Sequence, residues 1–235
     1  MHTVEAYLAA SDVSGNLRWA RRALRIVDRV VNGFARGNGW RIPEHFTPSW
    51  EPLLEYNRET PAHPFRPYGA TIGHAFEWSR LTIQLCATLQ QSGMAAPEWG
   101  VAAARSLYDT GVREGWQVDG APGFVYTIDW KGKPVVRERM HWVAAEAIGA
   151  AATLWARTRQ EEYAEHYQRW WEYVGTFHID HQGGSWWHEL GPKNKASHTV
   201  WEGKPDLYHA VQATLIPRLP IHPAIAPSIA AGNLA

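Results

Sequence analysis

The 235-residue chain holds a single cysteine, Cys86, and no surplus of charge: Lys+Arg and Asp+Glu number 23 each. A lone thiol cannot build a disulfide framework, and its place in an apolar helical pattern suits a reducing compartment. Balanced charge leaves no basic field for nucleic acid or for an anionic membrane surface. No apolar run of about 18 residues is present, and no signal segment opens the chain. A soluble, cytoplasmic protein is the expectation. Chemical signatures are missing too. There is no G-x-S-x-G elbow, no H-E-x-x-H, no His-x-His, no Cys pair and no glycine-rich phosphate loop after a strand. Neither a metal nor a nucleotide cofactor is expected.

What the chain has in excess is tryptophan, 14 residues. Each indole is a large apolar body with one N–H that wants a partner. Such residues stack on the apolar faces of sugars, and they equally wedge between helices; composition leaves both readings open.

Periodicity makes the chain mostly helical. Ala20, Ala23, Leu24, Val27, Val30, Val31 and Phe34 recur at i, i+3, i+4 and i+7 across 16–34, with Asn16 as candidate N-cap and a short helix over 2–11 before it. Six prolines between 43 and 67 forbid a long helix in 37–69, and a loop of that length in a compact domain is usually functional. Further helices are expected over 71–92, 97–114, 139–158, 160–178 and 205–216, the last stopped by Pro217. Hairpins are expected over 123–139 and over 183–190 with a return near 198–201. The stretch "RERMHW" reads as a solvated helix start, and 220–235 as a loosely packed tail. Paired helices recurring at about 60–70 residues suggest stacked α-hairpins, a solenoid or an α/α barrel, with loops gathered at one end around a pocket.

Four places set titratable groups in apolar context. His2 and Glu5, His74 and Glu77, and His209 and Gln212 are each i, i+3 pairs on one helix face. Glu146 is in line with Trp142, Gly149 and Thr153 on a helix of small apolar residues. A lone histidine of this kind is more often a core residue bonded to a carbonyl. Three helix faces of the same form are harder to dismiss, and their imidazoles converge if the helices line one barrel. Acid/base work by a neutral histidine, with a carboxylate orienting its ring, fits this set better than metal ligation.

Four stretches carry a family likeness: "MHTVEAYLAASDVSG", "EHFTPSWEPLLEYNRETPAHPFRPYGATIGHAFEWSRL", "GFVYTIDWKGKPVVRERMHWVAAEAIGAA" and "GGSWWHELGPKNKASHTVWEGKPDLYHAVQATLIPRLP". In this order they resemble the N-acylglucosamine 2-epimerase superfamily, in particular its aldose–ketose isomerase branch of D-mannose and sulfoquinovose isomerases. The resemblance implies an all-α fold, an (α/α)6 barrel with small hairpins in its loops. It also implies metal-free catalysis through a cis-enediolate. By motif it assigns His74 and His209 as the catalytic pair and His2 as a third active-site histidine. Glu77, Glu146, Arg66 and Trp142 become substrate-binding groups. Sulfoquinovose isomerases tend to carry an arginine where this chain has Pro64, so a neutral hexose, mannose to fructose, is the expected substrate. A 2-epimerase of the N-acylglucosamine or cellobiose type and a non-catalytic sugar-binding remnant are the alternatives. Family members run to about 400 residues. Residues 1–235 are therefore expected to form a single domain, the C-terminal part of a barrel with about seven of twelve helices. Its open helix faces would favour association between copies.

Overall fold

The structure, a computed structural model, describes residues 1–234. Helix α1 (His2–Ser14) ends where Gly15 turns left-handed (φ 64°) and returns its N–H to the Ser11 carbonyl. Helix α2 (Arg18–Val27) starts behind Asn16, whose Oδ1 accepts the Arg18 N–H at 3.1 Å. The helix expected to run unbroken to residue 34 changes at Asp28 into a π-helical segment, Asp28–Ala35. Its apolar stripe survives the change: Ala20, Ala23, Val27, Val31 and Ala35 are all buried. Next come α3 (Ile72–Gln91), α4 (Gly100–Gly115), α5 (His141–Thr158) and α6 (Glu161–Tyr173). Helix α7 (Tyr208–Leu215) tightens into a 3-10 turn, Ile216–Arg218, that accommodates Pro217 rather than stopping before it. Every expected helix is present, and a short α8 (Ile225–Ala230) adds to them.

The helices alternate in depth. Helices α1, α3, α5 and α7 pack side by side in that order, while α2, α4 and α6 each lie against the helix before them. This is the layout of an (α/α)6 barrel, with odd-numbered helices inside. Helix α3 shows why: a helix that faces both layers must be apolar nearly all round, and Phe76, Leu81, Ile83, Leu85 and Leu89 are all fully buried. Two apolar clusters result, one joining α3–α6 to the hairpins and one joining α1 and α2 to the other side of α3.

Two small ladders set the ends of the inner helices. Strand β1 (Ala70–Thr71) pairs antiparallel with β2 (Thr127–Ile128), and β3 (Arg139–Met140) with β4 (Glu189–Leu190). β1 runs directly into α3 and β3 into α5, so each ladder fixes where the first turn of an inner helix begins. The 123–139 hairpin forms, with Asp129 N–H on Lys133 O at 2.8 Å and Val135 N–H on Thr127 O at 2.9 Å. The second hairpin returns earlier than expected: Gly191 N–H meets Lys195 O and Ser197 N–H meets Glu189 O, so 195–197 is the returning arm.

Two further expectations are corrected. The "RERMHW" stretch is not a solvated helix start: Arg137 is exposed, but Arg139, Met140 and His141 are buried. Strand pairing carries Arg139 inside (1% exposed), where its guanidinium grips both oxygens of Asp119 at 2.6 and 3.1 Å. The tail is not loose either. Asp12 on α1 accepts the Ala224 N–H at 2.7 Å, and its other oxygen lies 3.4 Å from His222 Nδ1. This strap closes the chain's end onto its beginning. Removing a buried acceptor of this kind costs about 1–3 kcal/mol. Asp12→Ala is therefore expected to release residues 219–234, seen as faster proteolysis there with helical circular dichroism otherwise retained.

Candidate active site

The first two turns of the inner helices carry the titratable groups, and the barrel layout brings them to one mouth. Trp142, near the start of α5, lies between two imidazoles: its ring centroid is 5.0 Å from that of His74 on α3 and 5.6 Å from that of His209 on α7. This close approach requires glycine at 73, where a Cβ would meet the indole at 2.2 Å.

Each of these histidines is held by a carboxylate through Nδ1. His74 Nδ1 is 2.5 Å from Glu44 Oε1, and His209 Nδ1 is 3.0 Å from Glu146 Oε1. A carboxylate only accepts, so Nδ1 carries the proton in both, and each Nε2 is left as the working atom. Burial alone would push His74 down; the Glu44 charge and hydrogen bond outweigh it and hold the imidazole above its ordinary value.

Behind Glu146 stands a buried guanidinium. Arg80 (1% exposed) donates from Nε and Nη2 to Glu146 Oε2, both at 3.1 Å, and from Nη1 toward Glu5 Oε1 at 3.5 Å and Gln84 Oε1 at 3.3 Å. Burial would raise Glu146, but Arg80 and His209 reverse that and keep it ionised. Glu5 is likewise pulled down to about 2, against its burial, by His2, Arg80 and a short hydrogen bond from Tyr208. Tyr208 thereby joins α7 to α1.

Glu77 is the exception. It is 1% exposed and neither carboxylate oxygen has a hydrogen-bond partner; His2 Nδ1 approaches Oε1 only to 3.7 Å. Burial, and then the charge of Glu146, push its carboxyl up to about 7. A buried, unpartnered acid is costly to keep, and such a group in a mouth is a candidate functional residue.

Of the residues singled out by sequence, His2, His74, Glu77, Trp142, Glu146 and His209 come together. Arg66 does not join them: its guanidinium reaches Tyr56 Oη at 3.3 Å and His63 Nε2 at 3.5 Å in the exposed loop. The i, i+3 spacing misled in one respect, because the carboxylate on His74 is Glu44 and not Glu77. Glu44, Arg80 and His141 were missed. Arg80, in "FEWSRLTIQL", had a usable signal: an arginine inside an apolar run needs buried carboxylates. Glu44 had none, since a loop residue's approach to α3 depends on the whole fold. His141 is buried, with its ring 6.1 Å from His209 and 5.0 Å from His188. Burial and those neighbours hold it neutral, well below its ordinary value.

Other chemistries fit less well. The Cys86 thiol is buried and pushed up to about 11, which keeps it from acting as a thiolate. Among the described residues, His2, Glu5 and Glu77 bring three ligand-type atoms within 4.8 Å of one another. Arg80 already sets a positive charge against Glu5 and opposes a second cation there. No helix among the described residues is long and apolar enough to cross a membrane.

The fold and site together define a helical barrel whose mouth gathers carboxylate-held histidines around an aromatic floor. The N-acylglucosamine 2-epimerase family profile matches residues 1–213, and the chain belongs to that family. It is 51% identical over 230 residues to a D-mannose isomerase of Pseudomonas cannabina pv. alisalensis, and 49% identical over 231 residues to one of Thermobifida fusca. Each match takes in 98% of this chain and 56% of the relative, so the chain spans little more than half the length of these relatives. The crystal structure of a D-mannose isomerase superposes with a TM-score of 0.83 at 27% identity, over 91% of this chain and 54% of the other.

The elevated Glu77 makes a prediction with a definite sign. Its proton is held more tightly in the folded chain than in the unfolded one, so its contribution is favourable at pH 4–5 and is lost as pH rises through about 7. Glu77→Gln removes that loss. Denaturation should show the variant more stable than the parent at pH 8, by on the order of 2–3 kcal/mol, with the gap closing near pH 5. An equal gap at both values would contradict an elevated carboxyl.

Proposed function

We propose that the protein is an aldose–ketose isomerase that interconverts D-mannose and D-fructose by histidine acid/base catalysis without a metal. One observation carries the reading. His74 and His209 flank Trp142, each with Nδ1 held by a carboxylate and Nε2 left for chemistry. The half-length identity to D-mannose isomerases supports the choice of sugar, and Pro64 leaves that position of the mouth without a cation for an anionic one.

The chemistry follows from these positions. The opened sugar lies against Trp142, whose face suits the apolar C–H side of a hexose. His209 Nε2 takes the proton from C2. The C2–H electrons form the C1=C2 bond, and the aldehyde oxygen becomes an enediolate oxygen that is protonated. The imidazolium exchanges its proton with solvent while the enediolate lasts and then gives a proton to C1, while the proton on O2 departs and the C2 carbonyl forms. Glu146 stabilises the imidazolium between the two steps, and the Arg80 guanidinium keeps Glu146 ionised so that it can do so. His74 shuttles protons on oxygen and opens the ring. Glu77, its carboxyl pushed up to about 7 and so divided between acid and carboxylate near neutral pH, donates or accepts at a sugar hydroxyl, and His2 completes the rim beside it. A 2-epimerase shares the first abstraction and differs in returning the proton to C2.

Positioned acid/base groups contribute roughly 10²–10⁴-fold each. His74→Ala and His209→Ala should each lower mannose turnover by that order, and incubation with a chelator should leave the parent rate unchanged. Product analysis should find fructose. Glucose as sole product would point to the epimerase, and parent-like rates in both variants would refute the assignment.

A further inference from the structure

The side chains around the histidines form a continuous circuit. Trp142 touches Tyr126 edge-on (6.0 Å between centroids), and Tyr126 Oη donates to Pro64 O at 3.4 Å. Next to Pro64, Phe65 meets Trp201 edge-on at 4.8 Å; Trp201 stacks on His188 (5.1 Å, 22°). His188 packs on His141, and His141 on His209, which returns to Trp142. Two loops far apart in sequence therefore meet through Phe65 and Trp201.

Both loops are pinned through their backbones. Glu189, 1% exposed, takes the Thr199 N–H at 2.9 Å and Thr199 Oγ1 at 2.7 Å on one oxygen, and the Val200 and Trp201 N–H at 2.8 and 2.9 Å on the other. Few carboxylates order so much backbone at once, and charged acceptors make strong hydrogen bonds. Lys204 anchors the same loop further on, donating to Asp180 at 2.6 Å. Opposite, His63 Nδ1 accepts the backbone N–H of both Phe65 and Arg66, at 3.2 and 3.3 Å. Phe65 itself is 78% exposed, an expensive place for a phenyl ring unless its position is in use.

We propose that the Phe65–Trp201 contact closes the distal side of the sugar site, so that it takes a free hexose and rejects one bearing a second sugar on its far hydroxyls. Glu189 is the positioning residue that sets this closure, through the backbone that carries Trp201. The proposal rests on the sugar-site reading above. It adds what determines substrate size: a rigid aromatic wall discriminates by clash rather than by added attraction.

The test compares equilibrium binding of D-mannose and of 4-O-β-D-mannosyl-D-mannose, by calorimetry, to the parent chain, Phe65→Ala and Glu189→Gln. The parent should prefer the monosaccharide by about tenfold or more, and both variants should shift that ratio toward the disaccharide by about tenfold. Amide exchange at 199–201 should accelerate in Glu189→Gln only, a change that a general loss of packing would not confine to those residues. Phe65→Ala alters an exposed side chain and keeps the test valid even where Glu189→Gln folds poorly. An unchanged ratio in Phe65→Ala, or a parent chain that binds both sugars alike, overturns the closure. A parent that binds neither overturns the sugar-site reading itself, and the closure with it.

Discussion

The site depends on one buried cation. Arg80 sits on α3 with almost no access to water, and its guanidinium faces Glu146 on α5 and Glu5 on α1. Burying an arginine is tolerable only where its donors are met, and here meeting them ties three inner helices to one point. Removing Arg80 would leave Glu146, buried on α5, with His209 as its remaining partner, and breaking a buried ion pair costs far more than the pair contributes when intact. The ion pair therefore acts less as a source of stability than as a device that fixes geometry and protonation together.

From that point the electrostatics divide by distance. Glu146 and Glu5, in contact with the guanidinium or with other donors, are held ionised; Glu77, close enough to feel Glu146 but without a partner of its own, is not. Carboxylates crowded at one mouth thus reach different protonation states near neutral pH, as a reaction that must both accept and donate protons requires. The ladders β1–β2 and β3–β4 contribute by placing the first turns of α3 and α5, where His74 and Trp142 sit.

Much of this was legible in the residues. Long periodic segments bounded by Gly93, Gly15 or proline gave helices whose ends fall within a few residues of those observed, because local capping and burial agree there. The three histidines were legible as a pattern, since an i, i+3 polar pair on an apolar face stands out. Partners across long sequence separations were not: Glu44 on His74, Asp119 on Arg139 and Asp12 on the tail are products of packing, and no local spacing encodes them. Tryptophan was ambiguous for a physical reason, since the same side chain packs in a core or lines a mouth. Trp170 is wedged among Phe76, Tyr108 and Phe124 in the core, while Trp142 forms the floor between the two imidazoles.

The central claim is that His209 carries a proton between two carbons of the sugar. Deuterium incorporation from D2O, followed by NMR of the ketose product, tests it most directly. The account predicts solvent deuterium at C1 of fructose formed by the parent chain and none with His209→Ala. Fructose that keeps the original C2 hydrogen throughout, or undiminished labelling in the variant, would contradict it.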